Sequence, residues 1–157
     1  MAVLQLSVDI DAPPETVWGA VTDWPRQGDW MMLTRVRGTA LGGVGVGGGV
    51  EAFTGIARLG FLDTMEITEW EPPHRCLVRH TGSVVRGTGA FEVWPLPGGR
   101  ARLYWSEDLD LPLGTLGRGG WVLVQPVFAR FVRRSLQRLA TQVESEARRS
   151  RRHSDRA

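Results

Sequence analysis

The chain has no lysine, no asparagine, one cysteine (Cys76) and three histidines in 157 residues. One cysteine excludes an internal disulfide and any multi-cysteine metal site. The histidines stand at positions 74, 80 and 153, with no HxH, HxxxH or CxxC spacing, so no protein-ligated metal is expected. No GxSxG is present to carry a nucleophilic serine, and Cys76, on an inward strand phase, reads as a small core residue. No apolar run reaches the length of a membrane span. The opening MAVLQLSVDIDAPPE lacks the basic and apolar regions of a signal peptide, which sets the expectation of a cytoplasmic protein.

With lysine absent, all 19 basic residues are arginine, the mark of a GC-rich bacterial genome more than of a chemical choice. Residues 1–147 carry 14 arginines against 16 acids, a net of −2, whereas residues 148–157 carry five arginines and one aspartate, a net of +4. The basicity is therefore a tail property. Arg130, Arg133, Arg134, Arg138, Arg148, Arg149, Arg151 and Arg152 could form a stripe for nucleic acid or an anionic membrane. A solvated helix face with a disordered end is the simpler reading, so nucleic acid is not expected and membrane contact through the tail is a minor alternative. A monomer and a homodimer both remain open.

What is present fits one globular domain with a sizeable core, at 42% hydrophobic content. Set at about 100° per residue, Trp121, Val124, Phe128, Phe131, Val132, Leu139 and Val143 share one stripe, opposite Arg130, Arg133, Arg134, Gln137 and Thr141. Burying seven such side chains contributes on the order of 10–20 kcal/mol before entropy, so this long helix needs a large apolar partner. Gly117, Gly119 and Gly120 suggest a flexible approach to it, and Pro126 should start its main segment or kink it. The partner is a set of strands. Val3–Asp9 alternates; Leu33–Ala40, Val50–Ile56, Phe61–Trp70, Arg75–Thr81, Val84–Trp94 and Arg100–Leu111 follow, broken by turn segments such as EPPH and PLPGG. Two short helices lie after the first strand, one opened by Pro13 and Pro14, the other capped by Asp23. The run LGGVGVGGGV places six glycines between Leu41 and Gly49. It precedes a strand rather than a helix, which argues against a phosphate loop and for a wide hairpin or a mobile gate.

The fold class is α+β: a curved antiparallel sheet of about seven strands gripping a long C-terminal helix. With this order, the segments IDAPPETVW, TDWPRQGDW, ITEWEPPHR, GTGAFEVWP and PGGRARLYW, and the arginine-rich terminal helix, the chain resembles the START-like superfamily, in particular its bacterial SRPBCC or polyketide cyclase/dehydrase group. The likeness covers residues 1–147 as one domain, followed by a disordered arginine-rich tail at 148–157. It implies a deep, mostly apolar cavity between sheet and helix, a hydrophobic small-molecule ligand (lipid, aromatic or polyketide-like) and no cofactor. Among such relatives are carriers, polyketide aromatase/cyclases and dehydratases, and toxin-like or regulatory interaction proteins.

Strand phase selects the polar residues that face inward: His80 with Cys76 and Val78, Glu107 with Leu103, Trp105 and Leu109, and Asp63 near a strand end. A histidine and a carboxylate facing one cavity suit general acid–base work on an enolisable or dehydratable substrate, which makes His80 and Glu107 the catalytic candidates. The simpler expectation is that His80 reaches water at its strand end and that Glu107 pairs with an arginine. For ligand walls, the residue types favour Trp30, Met31, Met65, His80, Phe91, Trp105, Trp121, Phe128 and Phe131. Trp18 and Trp24 read as packing residues between helices and sheet.

Overall fold

The computed structural model describes residues 2–83, 85–110 and 114–154, with residues 2 and 114–124 described by backbone alone. Alternation of apolar and polar side chains sets seven strands: β1 (Ala2–Ile10), β2 (Thr34–Gly38), β3 (Gly49–Ile56), β4 (Leu59–Glu71), β5 (Arg75–His80), β6 (Gly87–Leu96) and β7 (Arg100–Leu109). They pair antiparallel in the order β1-β7-β6-β5-β4-β3-β2, a meander closed by β1 returning beside β7. The sheet curls as a half-barrel around a long helix, the helix-grip arrangement. Its inner face is the apolar phase: Leu4 and Ile10, Val36, Val50, Ile67, Cys76 and Val78, Phe91 and Val93, and Ala101, Leu103 and Trp105 are all buried. A register shift in β4 between Ile67 and Glu69 restores the inward phase at Trp70, which pairs with Cys76.

Two short helices bridge β1 and β2. In α1 (Pro14–Val21), prolines at the first turn leave no missing hydrogen bond, and Val17, Trp18 and Val21 are buried. A single 3₁₀ turn, Trp24–Arg26, runs into the four-residue α2 (Gln27–Trp30). Asp23 occupies the capping position of that turn but makes no side-chain capping bond. The terminal helix, α3 (Gly114–Ser154), buries Val132, Leu136, Leu139 and Val143, while Arg130, Arg133, Arg134, Gln137 and Thr141 are exposed. Leu136, Ser135 and Ala140, absent from the stripe read in the sequence, are buried too.

Two expectations change here, and a third is narrowed. Gly117, Gly119 and Gly120 lie within α3 rather than before it, because the helix already begins at Gly114; Pro126 stands inside the helix and does not start it. The helix also continues to Ser154, so Arg148, Arg149, Arg151 and Arg152 are exposed on its last turns. The glycine-rich stretch, finally, is the wide hairpin of the two forms expected of it, and it is tied down. Gly47 N–H donates to Ile67 O and Ile67 N–H to Gly48 O, both at 2.8 Å, and the Trp24 indole N–H donates to Gly43 O at 2.8 Å. A Cβ on Gly43 would stand 2.6 Å from Trp24 Nε1, so only glycine lets the indole seat there.

The grip of sheet on helix predicts an asymmetric response along α3. Leu139→Ala, at a side chain with 0% exposure, should lower the unfolding free energy by about 2–5 kcal/mol in urea titrations. Val127→Ala, at 70% exposure, should change it by less than about 0.5 kcal/mol.

Candidate functional site

Where the inner face of the sheet is not covered by α3, a pocket of about 330 Å³ remains. Its walls come from every strand but β1, and from α3. Val36, Val50, Ala52, Met65, Val78, Phe91 and Trp105 stand on the sheet side, Phe128, Phe131 and Val132 on the helix side, and Trp24, Gln27 and Met31 at the short helices. The aromatics form a connected set: Phe91 and Trp105 meet edge-to-face with centroids 4.6 Å apart, and Trp24 lies 6.4 Å from Phe91.

Into this apolar wall the sheet sets one polar cluster. His80, with 4% of its side chain exposed, places Nδ1 2.9 and 3.0 Å from the two Asp63 carboxylate oxygens and Nε2 3.0 Å from Glu107 Oε2. The second Glu107 oxygen accepts the Trp105 indole N–H at 2.9 Å. Two ring nitrogens that both face carboxylate oxygens are satisfied together only when both carry protons or when a carboxyl supplies the missing one. Burial by itself pulls the imidazole pKa down. Hydrogen bonds to Asp63 and Glu107, reinforced by their charges, outweigh it and push the pKa up from 6.5 to about 9.

The cluster depends on what β6 lacks. His80 is on β5 and Glu107 on β7, so β6 runs between them and the gap spans two strand spacings, roughly 9–10 Å. In register, His80 pairs with Gly87 and Glu107 with Gly89, so neither β6 neighbour raises a side chain between the two. A Cβ at Gly89 would lie 2.9 Å from Glu107 Oε2 and 3.1 Å from Val78 Cγ2. Asp63 reaches His80 from the other side, two residues along β4 from Met65, the register partner of His80.

The inward phases of His80, Glu107 and Asp63 are thus as the alternation predicted, but the simpler expectation for them is overturned. His80 is buried, and Glu107 is held by His80 and Trp105. Arginines do pair with carboxylates, on the solvent side of the sheet: Arg79 with Glu66, Arg37 with Glu51 and Arg102 with Asp9. Of the wall residues read from sequence, Met31, Met65, His80, Phe91, Trp105, Phe128 and Phe131 do line the pocket. Trp30 does not. It is buried behind Trp105, centroids 6.1 Å apart, and borders a separate polar crevice of about 220 Å³ with Arg26 and Glu146. The Trp121 side chain lies outside the described residues. Trp24, assigned to packing, is buried against Phe91 and also lines the pocket, as do Thr34, Thr54 and Ser135. Among the described residues no group of histidine, cysteine and acidic side chains is arranged to hold a metal ion. Cys76 is buried and its thiol is pushed up to about 12, which makes it unreactive near neutrality.

Residues 1–144 match the family described as polyketide cyclase / dehydrase and lipid transport. An uncharacterized protein of Mycobacterium tuberculosis is 33% identical over 107 residues, 64% of this chain and 72% of that protein. Among solved structures, the Zhui aromatase/cyclase from Streptomyces superposes with a TM-score of 0.76 at 16% identity, covering 93% of this chain and 95% of that one. A Thermus thermophilus protein gives 0.73 at 18% identity, covering 92% and 99%. The Aha1 dimer from Colwellia psychrerythraea gives 0.63 at 16%, covering 92% and 97%. At these identities the structural likeness speaks for the fold.

The raised pKa of His80 fixes the sign of a pH effect. Its contribution to stability is complete below about 6.5 and is lost as pH rises through about 9. Urea unfolding should therefore show stability falling across that window, by at most about 1.4 kcal/mol per pH unit from this one proton. Gly89→Ala should leave the fold intact, displace the flexible end of Glu107 and flatten that slope. A slope unchanged in Gly89→Ala contradicts the bridge across β6.

Proposed function

The chain belongs to the polyketide cyclase/dehydrase and lipid transport family, and on that premise we propose that it binds a hydrophobic small molecule (lipid, aromatic or polyketide-like) in the pocket between the sheet and α3. The observation that carries this reading is the pocket itself. About 330 Å³ lies within the usual range for small-ligand sites, and its walls are mostly aromatic, methionine and aliphatic side chains, with the His80, Asp63 and Glu107 cluster set among them. An apolar surface of this size facing water is unfavourable, and an apolar guest relieves it. Met31, Met65, Phe91, Trp105, Phe128 and Phe131 supply the walls, and the cluster of His80, Asp63 and Glu107 orients the guest. The family description names lipid transport alongside cyclase and dehydrase activity, and both require such a chamber.

A second reading, an aromatase/cyclase or dehydratase, is favoured by one specific observation: a buried histidine within 3.0 Å of a carboxylate, on the wall of an apolar pocket. In that case His80 and Glu107 exchange a proton with the substrate, one as acid and the other as base, at a site shielded from bulk water. The Zhui protein of similar fold is an aromatase/cyclase. Removing the imidazole separates the two readings. His80→Ala changes affinity modestly in a carrier, and lowers turnover about 10²–10⁴-fold in an enzyme.

Titration with the neutral dye Nile red, followed by its fluorescence, tests the pocket directly. One dye per chain should bind, and Ala52→Trp, which projects an indole from the inner face of β3 into the open space, should weaken binding at least about tenfold. The melting temperature should move by only a few degrees, since the new ring fills space rather than displacing packed atoms. Unchanged dye affinity in Ala52→Trp places the dye elsewhere and contradicts the reading.

A further inference from the structure

A count of hydrogen-bond donors and acceptors in the polar cluster says what kind of guest it can accept. The imidazole has two ring nitrogens, and both are occupied, Nδ1 by Asp63 and Nε2 by Glu107. The nearby Trp105 N–H is spent on Glu107 Oε1. No donor in the cluster is left over. The four carboxylate oxygens, by contrast, each carry two lone pairs and receive between them, among the described residues, these three N–H groups. What the cluster offers to the pocket is therefore acceptor capacity alone.

Its charge points the same way. Two carboxyl groups and one imidazole holding a single dissociable proton in excess of their fully deprotonated form sum to −1. The sum is the same whether that proton sits on the ring or on either carboxyl. Among the described residues the other charged groups lining the pocket are Arg86 and Asp110, both exposed and of opposite sign, so together they leave the balance unchanged. In low-dielectric surroundings a second negative charge brought against this cluster is strongly opposed.

We infer that the ligand carries, at the end that meets Asp63, His80 and Glu107, a hydrogen-bond donor without negative charge, such as a phenol, an alcohol, an enol or a protonated amine, and that carboxylates and other anions are rejected there. This rests on the ligand-binding reading above and narrows it: free fatty acids fit poorly, and hydroxylated aromatic or polyketide-like molecules fit well. Rejection comes from the repulsive arrangement, and preference from the unspent lone pairs; specificity needs both.

Calorimetric titration of the full chain at neutral pH with four probes on one ring system tests it: naphthalene, naphthol, the methyl ether of naphthol and naphthoate, all substituted at the same position. Naphthol should bind about tenfold tighter than naphthalene, the worth of one hydrogen bond to a charged acceptor. The methyl ether, which keeps the oxygen and loses the donor, should bind no tighter than naphthalene, and naphthoate should bind at least about tenfold more weakly than naphthalene. Naphthoate equal to naphthol, or the ether matching naphthol, overturns this inference while the pocket reading stands. If naphthalene itself and all its derivatives fail to bind, the pocket reading falls and this one with it.

Discussion

A buried imidazole flanked by two carboxylates is tolerable only if every nitrogen finds its partner, and this requirement governs the centre of the molecule. Each ion removed from water costs several kcal/mol, and the return comes only when the geometry is close. Here the contacts are 2.9–3.0 Å, and they tie three strands, β4, β5 and β7, through a single ring. The surface arginine–carboxylate pairs on the other face of the same sheet are exposed and contribute little. The inner cluster therefore shapes the site, and the outer pairs decorate it.

The same cluster explains why the space above it is open. For His80 and Glu107 to meet across β6, that strand presents Gly89, where a Cβ would stand 2.9 Å from Glu107 Oε2, and the same glycine lines the pocket without adding a side chain to it. Beyond Gly89 the strand returns to bulky residues, Phe91 and Val93, and the core closes. The helix follows the same gradient. Phe128 and Phe131 are half-buried beside the pocket, whereas Leu136, Leu139 and Val143 are between 0% and 1% exposed. One end of the grip is solid and supplies stability; the other end is open and supplies the site. Trp105 joins the two, packed on Phe91 and Trp30 while its indole N–H fixes Glu107.

Most of the fold was legible because alternation with a period of two is a strong signal: the seven strands follow it, while the long helix, read from its apolar stripe, begins earlier than that stripe, at Gly114. The inward phase of Asp63, His80 and Glu107 was legible for the same reason. Their mutual contact was not, since a pair that meets across an intervening strand has no local signature; the inward glycines of β6 were the available clue. That Trp24 reaches the pocket and Trp30 does not has a different cause. They lie in a 3₁₀ turn and a four-residue helix, too short for a periodic pattern to say which side faces the sheet. The glycine-rich stretch read equally as a hairpin or a gate because its anchors, Ile67 and the Trp24 indole, are distant in sequence.

The site rests on His80 being doubly protonated, or sharing its proton with a carboxyl at hydrogen-bond distance, within an apolar wall. Nitrogen-15 NMR of the imidazole, followed through pH, reads that state. A resonance assigned to His80, absent in His80→Gln, should report a ring that loses its proton only with a midpoint near 9, well above its ordinary value of 6.5. A midpoint at or below that ordinary value would mean that burial outweighs the two carboxylates, and would contradict the account.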